Sequence, residues 1–211
     1  MKKFFLFSAL LFAATVSWAQ VSFGVRAGLN LPNQVMKISI EELSISRTGD
    51  RIASFHIGGY ADVALSDKFS LRPELLLSGK GTKFKAGDDD LGPETEAVFR
   101  PYYLEVPVSL VFTTPLNDNI SGYLGAGPYI AYGLFGKGKS GDESVDLFDD
   151  EGYKRFDAGI HLQTGIKLQS GFTAGFAFVP GFTNTANSEE DDEFSLSMKN
   201  NVLMFSIGFQ F

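Results

Sequence analysis

The 211-residue chain contains no cysteine, which excludes disulfides, thiolate metal sites and cysteine nucleophiles. Its single tryptophan, Trp18, falls inside an N-terminal apolar leader, and it has only two histidines, His56 and His161. Beyond the leader no stretch approaches the ~18 consecutive apolar residues that a spanning helix needs. Positive charge is in deficit too. The formal net charge is −7, which disfavours a phosphate backbone, and so nucleic acid, as a partner. A chain that enters a membrane without such a helix must do so as a closed β-barrel, because lipid cannot satisfy open backbone groups.

The leader has the pattern of a secretory signal: Lys2 and Lys3, an apolar run from Phe4 to Val16, then Ser17-Trp18-Ala19 with small residues at −3 and −1. The run is short for a membrane anchor. Residues 1–19 are therefore expected to be cleaved, leaving 20–211 as one domain. That domain would be more acidic by two lysines and would have no tryptophan, so any aromatic girdle must use Phe and Tyr.

What the chain does have is alternation. The last ten residues set Leu203, Phe205, Ile207, Phe209 and Phe211 against Val202, Met204, Ser206, Gly208 and Gln210. Such period-2 patterning marks a strand with a different solvent on each side. Seven earlier segments repeat it. Phe23, Val25, Ala27, Leu29 and Leu31 alternate with Arg26 and Asn30, and Phe55, Ile57, Ala61 and Val63 with His56, Tyr60 and Asp62. Phe69, Leu71, Leu75 and Leu77 oppose Arg72 and Glu74, while Leu104, Val106, Val108 and Leu110 oppose Tyr103, Glu105 and Ser109. The stretches 120–134, 156–168 and 172–178 behave likewise. The pattern predicts an all-β fold, an eight-stranded antiparallel up-and-down transmembrane β-barrel.

Charge supplies a check that the apolar pattern did not use. Arg26, Asp62, Arg72, Glu74, Glu105, Asp157 and Lys167 all fall on the face opposite the apolar one. An Arg or Lys facing lipid at the midplane costs ~2–4 kcal/mol, whereas a soluble barrel would put its apolar groups inside. The connections also alternate, short after the second, fourth and sixth strands and long at 32–53, 84–101, 136–154 and 183–199. Short inner turns and long outer loops are the outer-membrane arrangement, and they put both termini in the periplasm. Pro73, Pro107, Pro128 and Pro180 lie inside strands, where each removes a ladder bond, so the register near them is open to a one-residue slip.

Several segments carry a family resemblance. Tyr103-Leu104-Glu105-Val106-Pro107-Val108 is similar to a Y-L-E-I-P-L signature, and Gly125-Ala126-Gly127-Pro128-Tyr129 matches a G-x-G-P-Y segment. Asp157-Ala158-Gly159 with Gly165, and Gly181-Phe182-Thr183-Asn184 near a G-L-T-N position, extend the match. The chain thereby resembles the small PorT-like, or porin-family, outer-membrane β-barrel proteins of Bacteroidota. Membership implies an eight-stranded barrel in the outer membrane. The family's namesake serves in type IX secretion, but these motifs are shared family-wide and do not assign that role.

The inward charges could line a pore or pair with one another. Eight strands enclose an interior that side chains nearly fill, and three cations face four anions, so a mutual network that plugs the lumen is the expected role. Arg72, Glu74 and Glu105, on neighbouring strands, are its expected centre. His56 and His161 could form a metal pair or a catalytic base, but neither G-x-S-x-G nor H-E-x-x-H occurs. Hydrogen-bonded filling is preferred, with no catalytic residue, metal or cofactor expected.

Negative charge gathers in the long connections, at Asp88, Asp89 and Asp90 and again at Glu189, Glu190, Asp191 and Asp192. Clustered carboxylates could hold Ca²⁺ or Mg²⁺, bridging lipopolysaccharide phosphates. No segment has EF-hand spacing, and a solvated acidic surface accounts for them more simply. The expectation is a monomeric, non-enzymatic surface or scaffold protein contacting outer-membrane lipid, lipopolysaccharide or an envelope protein. Alternatives are an accessory part of a secretion machine and a narrow porin.

Overall fold

The computed structural model describes residues 20–40, 43–86, 95–141, 143–149, 152–186 and 194–211. The expected signal, 1–19, lies outside the described residues, as do Asp88, Asp89, Asp90, Glu189, Glu190, Asp191 and Asp192. The described chain forms eleven strands: β1 (Val21–Ile40), β2 (Leu43–Thr48), β3 (Ser54–Ala64), β4 (Phe69–Gly79), β5 (Thr82–Ala86), β6 (Thr95–Asn117), β7 (Ile120–Ser140), β8 (Glu143–Asp146), β9 (Phe156–Leu168), β10 (Phe172–Pro180) and β11 (Phe194–Gln210). Eight of them, β1-β3-β4-β6-β7-β9-β10-β11, form a closed antiparallel ring in which β11 pairs back onto β1. Closure removes every sheet edge at that level.

The two faces differ as the alternation requires. Outward side chains are apolar and open, among them Leu124 at 63% and Ile207 at 73% exposure, while inward polar groups such as Glu105 and His161 have none. Aromatic pairs ring both borders of the apolar band. Phe55, Tyr102 and Phe135 pack at one border, and Phe172, Phe209 and Phe211 at the other. Inward glycines make room for lumen tyrosines. A Cβ on Gly24 would lie 2.3 Å from the Tyr60 ring, and one on Gly175 would lie 2.3 Å from the Tyr123 hydroxyl.

The prolines delete rungs without slipping the register. Pairing of β3 with β4 lapses between Tyr60↔Glu74 and Val63↔Leu71 around Pro73, then resumes at the same offset. Pairing of β4 with β6 lapses in the same way beside Pro107. The offset also holds through Pro128 and Pro180. The register shifts on β6 occur elsewhere, between Tyr102 and Tyr103 and between Pro115 and Asn117.

The long connections are the main departure from expectation. Much of 32–53, 84–101, 136–154 and 183–199 is strand: β1, β6, β7 and β11 run on past the apolar band, and β2, β5 and β8 pair alongside them. At ~3.3 Å per residue and ~40° tilt, a 20-residue strand such as β1 rises roughly 50 Å, about twice the ~25 Å band. On β1 and β2 the outward positions of this collar include Lys37, Ser39, Ser44 and Ser46, as water rather than lipid would require. The opposite end has short turns and carries the first and last described residues, Gln20 and Phe211, with Phe211 N–H donating to Phe23 O at 2.9 Å.

Candidate functional site: the two polar layers of the lumen

Inward side chains of the ring form two charged layers. In the layer nearer the short turns, β1 supplies Arg26, β3 Asp62, β4 Arg72 and Glu74, and β9 His161 and Gln163. Arg72 grips Asp62 with both arms of its guanidinium, Nε to Oδ1 at 2.7 Å and Nη2 to Oδ2 at 2.6 Å. It also lies 4.6 Å from the Tyr60 ring centroid and 5.0 Å from that of Tyr123. Arg26 Nε is 3.1 Å from Glu74 Oε2. Gln163 links the two pairs, donating to Glu74 at 3.0 Å and accepting from Arg72 at 3.4 Å. Two cations meet two carboxylates, so this layer balances.

Both histidines are fixed in one tautomer by neighbours that can act only one way. Arg26 donates to His161 Nε2 at 3.3 Å, which occupies that lone pair. Asn30 turns its amide nitrogen to Gly79 O at 2.9 Å, leaving its oxygen to accept from His56 Nδ1 at 2.7 Å. His56 Nε2 then accepts from the Ser206 hydroxyl at 2.9 Å. A serine thus stands beside a histidine in the polarity of a general-base relay, a proximity between β3 and β11 that no local motif reveals. His56 and Asn30 are both buried.

The second layer is built around a residue that the sequence reading missed. Lys80, just past the end of β4, is completely buried. Its Nζ lies 2.8 Å from Glu105 Oε2 and 2.9 Å from Asp157 Oδ2, over the Tyr129 ring at 4.2 Å. Asp157 is richly solvated by protein. Its carboxylate also accepts from Tyr129 at 3.2 Å, Asn200 at 3.0 Å and Thr183 at 2.7 Å. Glu105 has Lys80 and little else, since its Oε1 has no hydrogen-bond partner. One cation here serves two carboxylates.

The expected trio of Arg72, Glu74 and Glu105 is therefore divided. Glu105 aligns with Leu76 across β4–β6, which sets it beside Lys80 rather than Arg72. The stagger of the tilted wall causes this separation. Lys167 joins neither layer. It lines an open cleft of about 380 Å³ at the short-turn mouth, with Asp118, Ser121 and Gln210.

Above Lys80 a further layer covers the lumen. Gln34 donates to Asn200 at 2.9 Å and accepts from Tyr153 at 3.0 Å. Tyr153 belongs to the segment after β8 that dips inward with Leu147 and Phe148. The Phe148 ring packs edge-on against Tyr103 at 5.7 Å, in space left by Gly133, where a Cβ would lie 2.3 Å from that ring. Arg155 ties the segment down by donating to Gly133 O and Phe148 O, each at 3.0 Å.

Residues 17–187 match the family model of the outer membrane protein β-barrel domain. The chain belongs to that family. The barrel is accordingly an outer-membrane one. Its architecture is similar to that of OprG from Pseudomonas aeruginosa, at 11% identity and a TM-score of 0.50, with 92% of this chain and 97% of that one covered. Neisserial surface protein A aligns at 16% identity and a TM-score of 0.44 over 91% and 99% of the two chains. Ail, the attachment invasion locus protein of Yersinia pestis, aligns at 13% identity and a TM-score of 0.37 over 88% and 98%. At these identities the likeness is one of fold. No curated protein matches the sequence.

Proposed function

We propose that this outer-membrane barrel is a closed, non-enzymatic surface or scaffold protein that works through its collar, not through its lumen. The observation that carries this reading is the Lys80 layer. Lys80, Glu105, Asp157, Tyr103, Asn200 and Gln34 have essentially no exposed surface, so no water-wide path runs between them. An ion crossing this layer would have to break pairs that lie within 3 Å. On this reading residues 1–19 direct export, the short-turn end and both termini face the periplasm, and the collar projects outward beside lipopolysaccharide.

Liposome swelling tests the proposal. Proteoliposomes holding folded protein should swell no faster in arabinose than empty ones, and accelerated swelling would make this a narrow porin.

The Ser206–His56–Asn30 relay favours a second reading, a serine hydrolase. Enclosure of His56 and Asn30 by the barrel wall argues for a structural relay instead, and covalent labelling of Ser206 by a fluorophosphonate would overturn that. An accessory role in secretion draws on the PorT-like sequence motifs alone. It calls for a stoichiometric envelope partner to co-purify with the barrel.

A further inference from the structure

Above the apolar band, the wall has one strand edge that the described chain leaves unused. β2 pairs with β1 from Ile40↔Leu43 to Val35↔Thr48, and among the described residues no strand pairs with its other side. The next wall element, β5, pairs with β6. Among the described residues it meets the β2 side at the Asp50–Lys83 bridge, where Thr82 Oγ1 also donates to Asp50 O at 3.1 Å, and Arg47 donates to Lys85 O across the slot. Two residues separate Ile40 from Leu43, and in a two-residue hairpin the closing pair exchanges both its hydrogen bonds. Leu43, Ile45 and Arg47 therefore spend their backbone groups on β1, while Ser44, Ser46 and Thr48 direct theirs out of the edge.

Side chains along that edge alternate as well. Leu43 and Ile45 are 66% and 60% exposed and lie opposite Ile40 and Ile38 on one face. Ser44 and Ser46 take the other face, where Lys37 lies opposite Ser46 and Lys199 lies opposite Val35. Residues 35–40, 43–48 and 194–200 contribute Lys37, Arg47 and Lys199 and no carboxylate.

We propose that the β2 edge is a strand-addition site for an extended segment of a partner protein, one that alternates apolar and acidic residues. The unpaired N–H and C=O groups of Ser44, Ser46 and Thr48 supply main-chain bonds. Leu43 and Ile45 select apolar side chains at alternate positions, and Lys37, one strand in from the edge and opposite Ser46, selects an acidic one between them. Lipid is a poor occupant, because the outer face at this height presents Lys37, Ser39, Ser44 and Ser46. A second copy is a poor one too. Two barrels in one membrane are related by a two-fold axis along its normal, which brings equivalent groups of the same edge together at equal height. Donor then meets donor.

The test uses the full chain folded in detergent micelles and a fluorescein-labelled decapeptide of alternating Val and Glu, read by fluorescence anisotropy. Saturable binding is expected, at least tenfold weaker for Ser46→Pro, which deletes one outward N–H and leaves the β1 ladder intact. Lys37→Glu should weaken it as well, and a heat-modifiable gel shift shows that each variant folds. Amides of Ser44, Ser46 and Thr48 should exchange rapidly in the free protein and slowly with peptide. No binding, equal affinity for Ser46→Pro, or equal affinity for a Val/Lys peptide would overturn the proposal. Protection of those three amides in the free protein would also overturn it, by showing the edge already covered by the chain itself or by a second copy.

Discussion

The two charged layers of the lumen use the same residue types in opposite ways. Near the short turns, Arg26 and Arg72 face Glu74 and Asp62, one cation to each carboxylate, and the Asp62 side chain keeps 12% of its surface exposed. In the second layer Lys80 alone faces Glu105 and Asp157, with all three buried. Removing Arg72 from the first layer leaves an Asp62 carboxylate that water can reach from the mouth. In the second, the stranded charge has nowhere to go, and breaking a buried pair in that way costs about 3–5 kcal/mol. The Lys80 layer should therefore hold the barrel shut, and the Arg72–Asp62 pair should matter less.

Four substitutions sharpen or break this contrast. Lys80→Met strands two buried carboxylates and should lower unfolding free energy by about 3–5 kcal/mol, read by urea titration in detergent micelles. Adding Glu105→Gln and Asp157→Asn to it should restore most of the loss. Asp62→Asn keeps the shape of its site and leaves Arg72 stacked on Tyr60 and Tyr123, so a loss of about 1–2 kcal/mol is expected. A larger loss than for Lys80→Met would invert the comparison. Glu105→Gln relieves the surplus negative charge, so its urea midpoint should stay close to wild type, above that of Asp157→Asn, which loses a carboxylate with four donors.

The smallest effect belongs to the collar, where Lys83 donates to Glu96 at 3.0 Å. That hydrogen bond, and then the charge behind it, holds the Glu96 carboxyl below its ordinary range. Because the folded value is depressed, any contribution is present at neutral pH and fades as the pH falls through the carboxylate range. Glu96→Gln should remove that fading and leave the urea midpoint at neutral pH unchanged, since the pair is open to solvent and screened.

How much of this was legible in the sequence depends on which link is asked about. The face on which a residue lies follows from parity alone: Arg26, Asp62, Arg72, Glu74, Glu105 and Asp157 could be set inside because their neighbours at odd spacing are apolar. Parity extended through Arg72, Glu74, Leu76 and Ser78 also reaches Lys80. That residue was passed over because the outward apolar partners end at Leu77. Which charges meet was not legible. Pairing of Glu105 with Lys80 depends on the stagger between β4 and β6, which shear and tilt set for the whole ring. The collar was hidden for a related reason. In Ile38, Ile40 and Ile45 the alternation continues with its apolar side turned inward, so a search for lipid-facing residues reads it as loop.

Single-channel recording from the folded protein in a planar bilayer tests the closed lumen most directly, with a heat-modifiable gel shift as proof of folding. The wild-type barrel is predicted to remain silent at both polarities. Stable, salt-dependent current steps from folded wild-type protein would contradict the account, because ions would then be crossing a layer in which Lys80, Glu105 and Asp157 leave no room for water.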